Sequence, residues 1–267
     1  MTIMKITNIQ KLKPKQLIVF DLDGTLAPSK TPMDREMSGL MGKLLETKKV
    51  AVIGGGGYSQ FKKQLLEELK IPKDLLKRLF LFPATSTTFY RYQGAWKNVY
   101  AHRLSKAERE KIKKTFEKVF KEIGYQHPKK TYGKIIEDRG TQVTFSALGQ
   151  DVVKILGSKK GVALKDKWRD GNTPLKLKIA KLMSKYLPNL EVRAAGHTSV
   201  DVTKKGIDKA YGLKQIEKYL GVRIKDMLFV GDAIFPGGND YAVTKTKVDY
   251  IPVKDSEETK KIIRELI

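Results

Sequence analysis

The chain has 267 residues, of which 40% are hydrophobic and 31% charged, so it can bury the core of one large or two smaller globular domains. It contains no cysteine, which excludes disulfides, thiolate metal sites and cysteine nucleophiles. The net charge of +24 favours anionic partners, but the lysines are scattered as singles and pairs without interleaved aromatic residues, so we expect no nucleic-acid partner.

Hydropathy gives no sign of a membrane or export segment. No apolar run approaches the ~20 residues that a membrane-spanning helix needs. The first 16 residues are polar and basic and lack the apolar stretch of a signal peptide. We therefore expect a cytoplasmic protein with no membrane partner.

The first elements of the chain follow the pattern of a parallel sheet. Residues 17–20 are a continuous apolar run, which is typical of a strand buried on both faces. The Thr-Pro pair at residues 31–32 predicts the start of a helix. Residues 50–53 repeat the strand pattern and residues 59–69 predict a second helix. This alternation predicts a doubly wound parallel sheet.

The pattern changes near residue 86, where hairpins replace single buried strands. Hairpins mixed with two helices indicate an α+β module on an antiparallel sheet. The predicted elements are hairpins at residues 88–100 and 135–145, helices opened by a Ser105–Glu108 capping box and by Thr173-Pro174, and two short strands within residues 191–202.

After about residue 204 the sequence pattern of a parallel α/β sheet returns. A helix is followed by a buried strand at residues 227–230, and Asp255 caps a last amphipathic helix. We therefore predict a Rossmann-like α/β core made of residues 1–86 and 204–267. Residues 87–203 form an inserted α+β domain.

Acidic residues follow two of the predicted core strands. Asp21 and Asp23 come directly after the first strand, and Asp232 and Asp240 lie on the glycine-rich loop after the strand at residues 227–230. Ligands of doubly wound sheets bind beyond the carboxyl ends of the strands, so these side chains should meet there. Such carboxylates repel one another and attract a hard cation such as Mg²⁺.

A run of four glycines, residues 54–57, follows the second strand at the same predicted edge. Glycines at such a place let backbone amides come close to a phosphate. The sequence thus predicts a pocket for a metal ion and a phosphate.

These motifs carry a resemblance to a known superfamily. The segments DLDGT and GDAIFPGGND resemble the signatures of the haloacid dehalogenase superfamily of phosphohydrolases and phosphomutases. The inserted module resembles its type-two cap. Further stretches, FDLDGTLAPSK, IIEDRG, GHTSVDV and GIDKAYGL, are similar to the eukaryotic-type phosphomannomutases. The similarity covers both core segments and the second half of the insertion, and is weak between about residues 84 and 134.

The resemblance implies a role for each acidic residue. Asp21 is the nucleophile that forms an aspartyl-phosphate, and Asp23 is the general acid and then the general base. Asp21, Asp23 (through its carbonyl), Asp232 and Asp240 hold Mg²⁺, and Lys209 steadies the phosphoryl charge.

The resemblance also implies two sets of binding residues. The expected phosphate-binding residues are Thr25, Gly55, Gly56, Gly57 and Lys209, and the expected sugar-phosphate-binding residues of the cap are Arg139, Ser199 and Asp201. Related mutases often pair through their caps, which makes a homodimer possible.

The sequence departs from the mutase pattern at three positions. Gln150 stands where the mutases carry a second cap arginine, and Lys30 falls roughly where they carry another. Gly56 stands where relatives have a serine whose hydroxyl bonds the transferring phosphate. Either the amides of residues 55–57 replace that hydroxyl, as we favour, or Ser59 does.

Three functions fit these observations. We favour a Mg²⁺-dependent phosphohydrolase that acts on a phosphorylated sugar or a similar small phosphate ester. A mutase must bind a phosphate at either end of its substrate, and the cap arginine replaced by Gln150 weakens that assignment. The alternative is a phosphomannomutase-like isomerase that interconverts hexose 6-phosphate and 1-phosphate. The third is a non-catalytic basic binding protein, which the intact aspartates oppose.

Overall fold

The computed structural model describes residues 6–267, with side-chain placement from residue 9 onward. The strands are β1 (Leu17–Phe20), β2 (Lys49–Ile53), β3 (Leu79–Phe82), β4 (Thr88–Tyr92), β5 (Trp96–Ala101), β6 (Ile136–Asp138), β7 (Val143–Ser146), β8 (Leu190–Ala195), β9 (Ser199–Lys204), β10 (Met227–Gly231) and β11 (Asp249–Pro252). The helical segments are α1 (Arg35–Thr47), α2 (Tyr58–Phe61), which continues as a π-helical stretch over Lys62–Leu66, α3 (Pro83–Ser86), a short turn whose last three residues are left-handed, α4 (Lys106–Glu122), α5 (Val152–Tyr186), α6 (Lys209–Leu220) and α7 (Ser256–Leu266).

The chain divides into two compact units. The first runs to Tyr100 and resumes at Asp208, and the second is Ala101–Ile207. The first contains a seven-stranded sheet in the order β11-β10-β1-β2-β3-β4-β5, and the second a four-stranded sheet in the order β6-β7-β9-β8. The expected fold class, a parallel α/β core with a separate antiparallel sheet, is confirmed.

Strand β1 shows why the first sheet is covered on both faces. It pairs in parallel with β2 on one side and β10 on the other. Ile18 and Phe20 join one apolar cluster, which α1 and α7 help to form, while Leu17 and Val19 join a second cluster that includes Leu213 of α6. A strand that buries both faces must be apolar throughout, which explains the unbroken run LIVF.

The second unit buries one face of its antiparallel sheet. Val200 and Val202 of β9 lie in an apolar cluster with Phe116 of α4 and Met183 of α5. The alternate β9 residues, Ser199 and Asp201, therefore lie on the opposite face of the sheet. The helices cover the apolar face, and the other face carries polar side chains.

The hairpin at residues 88–100 does not lie in the inserted unit, where we expected it. Strand β4 pairs antiparallel with β3, and β4 and β5 extend the sheet of the first unit. Phe89 fixes this placement, because its ring stacks on that of Phe82 in β3 with a centroid distance of 4.5 Å. The boundary consequently falls after Tyr100 rather than at residue 86.

Two helix starts also differ from their predicted positions. Helix α1 begins after Asp34, whose side chain accepts the amide hydrogen of Met37, and not at the Thr-Pro pair. Helix α5 runs through Pro174 and has its non-helical residue at Gly157. Trp168 and Ile179 on either side of Pro174 are buried, so packing holds the helix together across the proline.

No helix in residues 6–267 combines the length and the apolar character that a membrane span requires.

Candidate active site

Two acidic segments meet at the carboxyl ends of neighbouring strands. Asp21 follows β1 and Asp232 follows β10, and these strands are paired in parallel with Phe20 opposite Val230. Thr25 links the two loops, because its hydroxyl accepts the amide hydrogen of Asp232 at 3.1 Å and lies 3.4 Å from that residue's carboxylate. Strand pairing thus brings together residues that are more than 200 positions apart.

The turn after β1 approaches Asp232 closely. Gly24 has a φ of +92°. A Cβ at this position would lie 2.4 Å from Oδ2 of Asp232, which no van der Waals contact allows. The glycine of DLDGT is therefore needed both for its backbone conformation and for the space that it leaves.

Asp21, Asp232 and Asp240 form an acidic cluster in which one carboxylate oxygen of each lies within 4.8 Å of the others. Asp21 and Asp240 are buried, with 3% and 0% exposure. Lys209, which is also fully buried, donates hydrogen bonds from its Nζ to both of them. Within the described residues, the cluster carries three carboxyl groups against one ammonium group.

This charge imbalance perturbs the carboxyl groups. Burial, together with the neighbouring carboxylates Asp240 and Asp232, raises the pKa of Asp21 well above its usual value, although Lys209 acts in the opposite direction. Burial and the nearby Asp240 raise the pKa of Asp232 to about 7. Burial opposes the charge of Lys209, but Asp21 and Asp240 outweigh it and raise the pKa of that lysine. One more positive charge would therefore stabilise the ionised form of the cluster.

The donor set fits a hard divalent cation. Three carboxylates converge, and oxygen is the ligand that Mg²⁺ prefers. The carboxylate of Asp23 is not part of this group. The Asp23 carboxylate instead accepts hydrogen bonds from other residues.

Asp23 is held by three hydrogen-bond donors that we did not predict from the sequence. Its Oδ1 accepts the backbone N–H of Lys30 at 2.6 Å and Nε2 of Gln64 at 3.1 Å. Its Oδ2 accepts Nε2 of Gln60 at 2.8 Å. The spacing of the glutamines could have signalled them, because residues four apart lie on one side of a helical turn.

Hydrogen bonds to two of its carbonyl groups hold the glycine run in place. The amides of Ala84 and Thr85 donate to the carbonyls of Gly56 and Gly54 at 2.7 and 2.8 Å. Ala84, Thr85 and Ser86 all have positive φ, between 50° and 68°, and all are buried. This left-handed turn is strained, since non-glycine residues seldom adopt it.

The expected phosphate contacts of the glycine run stay a prediction. Ser59, the alternative to the amides, is exposed on the helical segment that follows.

All three expected cap residues belong to the second unit. Ser199 and Asp201 share the polar face of β9, where Asp201 accepts the hydroxyl hydrogen of Thr144 at 2.7 Å. Arg139, at the β6–β7 turn, forms an ion pair with Glu137 and donates to Oε1 of Gln150 at 3.3 Å. Gln150 thus binds Arg139.

Comparisons with known proteins find a family and a relative that this chain resembles. The family described as haloacid dehalogenase-like hydrolase matches residues 18–243. A phosphomannomutase of Saccharomyces cerevisiae is 27% identical over 260 residues, which are 96% of this chain and 96% of that protein.

Solved structures show the same fold. An IMP-nucleotidase of Plasmodium falciparum, bound to IMP, has a TM-score of 0.71 at 17% identity and covers 97% of this chain and 70% of its own. A trehalose-6-phosphate phosphatase of Aspergillus fumigatus has a TM-score of 0.56 at 14% identity, covering 98% and 97% respectively.

Proposed function

Because this chain belongs to the haloacid dehalogenase-like hydrolases, we propose that it transfers the phosphoryl group of a phosphorylated sugar through an aspartyl-phosphate at Asp21. The observation that carries this proposal is the buried contact of Lys209 with Asp21 and Asp240 at the carboxyl ends of β1 and β10. A lysine and three carboxyl groups at this edge have no structural need to be buried together, since their desolvation is costly. A role in phosphoryl transfer explains why these groups lie together.

Each residue of the site has its own role in the proposed reaction. A carboxylate oxygen of Asp21 bonds to phosphorus while the bond to the ester oxygen breaks, and Asp23 gives that oxygen a proton. Lys209 orients Asp21 and counters the charge of the phosphoryl oxygens. Asp21, Asp232 and Asp240 would hold Mg²⁺, which when bound offsets the repulsion between carboxylate and phosphate.

The acceptor of the phosphoryl group separates a mutase from a hydrolase. The relative from Saccharomyces cerevisiae is a phosphomannomutase that matches almost the whole chain. We therefore propose transfer between the 1- and 6-positions of a hexose phosphate as the first candidate, although the sequence alone favours hydrolysis.

Hydrolysis is the second candidate, and one observation favours it. Gln150 occupies the place of an arginine, and Arg139 is already paired with Glu137. A mutase has to bind a phosphate at both ends of a bisphosphorylated sugar, so fewer available guanidinium groups favour water as the acceptor. In either case we propose that Arg139 and the polar face with Ser199 and Asp201 recognise the sugar phosphate.

The test is an assay of mannose 1-phosphate with Mg²⁺, with and without a hexose bisphosphate activator. We expect mannose 6-phosphate to form, to require Mg²⁺, and to disappear in Asp21→Asn. Free phosphate without isomerisation would select the hydrolase. Neither product from any of a panel of sugar phosphates, or full activity of Asp21→Asn, would refute the proposed function.

A further inference from the structure

The two oxygens of the Asp23 carboxylate have different surroundings. Oδ1 accepts two hydrogen bonds, from the N–H of Lys30 and from Gln64. Oδ2 accepts one, from Gln60, and the side chain of Asp23 is partly exposed. Among the described residues, two donors thus engage Oδ1 and one engages Oδ2. Oδ2 is the oxygen that keeps a lone pair for a substrate.

Gln60 reaches Asp23 through space that Gly56 leaves open. A Cβ at Gly56 would lie 2.3 Å from both Cδ and Oε1 of Gln60 and 2.8 Å from its Nε2. Any larger residue at position 56 would displace the amide that holds Oδ2. A serine at position 56, which the resemblance to the mutases would lead one to expect, could not coexist with this placement of Gln60.

We propose that Gln60 is the positioning residue of Asp23, and that proton transfer to and from the substrate runs through Oδ2. This inference rests on the proposed function. Gln64 and Lys30 hold Oδ1, while Gln60 stops the carboxyl plane from turning about the bond between Cβ and Cγ. In phosphoryl transfer to Asp21, the bond between the ester oxygen and phosphorus breaks, and the proton on Oδ2 of Asp23 moves to that ester oxygen.

Two substrates with different leaving groups can distinguish a positioning role of Gln60 from a purely structural role. A sugar alkoxide is a poor leaving group and needs the proton of Asp23, whereas p-nitrophenolate leaves without protonation. We would measure kcat/KM, which covers the steps up to the aspartyl-phosphate, for glucose 1,6-bisphosphate and for p-nitrophenyl phosphate. Both esters donate a phosphoryl group to Asp21 whether the enzyme is a mutase or a hydrolase.

The variant is Gln60→Met, which keeps the length of the side chain and removes the donor. We expect kcat/KM for the sugar bisphosphate to fall about 10- to 100-fold, the range of a misplaced general acid, and that for p-nitrophenyl phosphate to change less than about threefold. Gln60→Leu, which also removes the donor, should show the same selective loss. Lys63→Ala, at an exposed position of the same helical segment, is the matched control and should leave both values unchanged.

Equal losses on both esters, or no loss on either, in Gln60→Met and Gln60→Leu would overturn the inference while leaving the proposed function in place. If Gln60→Met fails to fold, Gln60→Leu decides alone. If the wild-type protein transfers no phosphoryl group from either ester, or if Asp21→Asn does so at the wild-type rate, the proposed function fails and the inference fails with it.

Discussion

Lys209→Met tests the buried ion cluster most directly. Methionine keeps the unbranched shape of the side chain, so the packing near the ring of Phe229, 5.8 Å from the Nζ of Lys209, is largely preserved. The carboxylates of Asp21 and Asp240 lose their buried ammonium partner. Removing one member of a buried ion pair costs about 3–5 kcal/mol of unfolding free energy.

Protonation limits that loss and makes it depend on pH. One of the stranded carboxyl groups can take up a proton, and from the usual aspartate pKa of 3.8 this costs ~4 kcal/mol at pH 7 and ~2 kcal/mol at pH 5. We therefore expect Lys209→Met to lose ~4 kcal/mol at pH 7 and about half of that at pH 5.

The assay is urea unfolding of the metal-free protein at both pH values, followed by circular dichroism. Lys214→Met, on the exposed side of the same helix, is the control and should change the unfolding free energy by less than ~0.5 kcal/mol. A loss below ~1 kcal/mol at pH 7, or a larger loss at pH 5 than at pH 7, would refute the reasoning.

Three further perturbations follow from the same geometry. The pKa of Asp232 is raised to about 7 in the folded protein from a usual 3.8, so in EDTA its contribution to the unfolding free energy should decrease as pH rises between these values. Urea titrations of Asp232→Asn should lack that slope, and an unchanged slope would contradict the assignment. Gly24→Ala should weaken Mg²⁺ binding in calorimetry and destabilise the fold by ~1–3 kcal/mol, because its Cβ meets Asp232, whereas Gly39→Ala in α1, with no atom within 4 Å, should be neutral or stabilising. Ala84→Gly should leave the thermal unfolding midpoint unchanged or raise it by a few degrees, since glycine adopts a φ of 50° without strain, and a drop would argue against a strained turn.

The sequence alone located most of the candidate site. Asp21 and Asp232 follow apolar runs that could be recognised as parallel strands, and the carboxyl ends of such strands meet at one edge. Lys209 was found through its motif, not through its chemistry. Nothing local in the chain shows that a lysine 188 residues from Asp21 is buried against it.

The boundary between the two units required the tertiary structure. A hairpin pattern at residues 88–100 is compatible with either sheet, because the local signal of an antiparallel pair does not say which neighbour it extends. The stacking of Phe89 on Phe82 decides it, and that contact depends on the whole sheet.

The sequence determined the fold class and the acidic edge, because these follow from hydrophobic patterns and from motifs read along the chain. The tertiary structure alone decided how Asp23 is oriented. The contact between Gln60 and Asp23 joins helical segment α2 to a loop 37 residues away and depends on the few ångströms that Gly56 leaves empty. The four-residue spacing of Gln60 and Gln64 places both on one side of a helical turn, but the group that they meet depends on side-chain rotamers and on the close packing of distant segments.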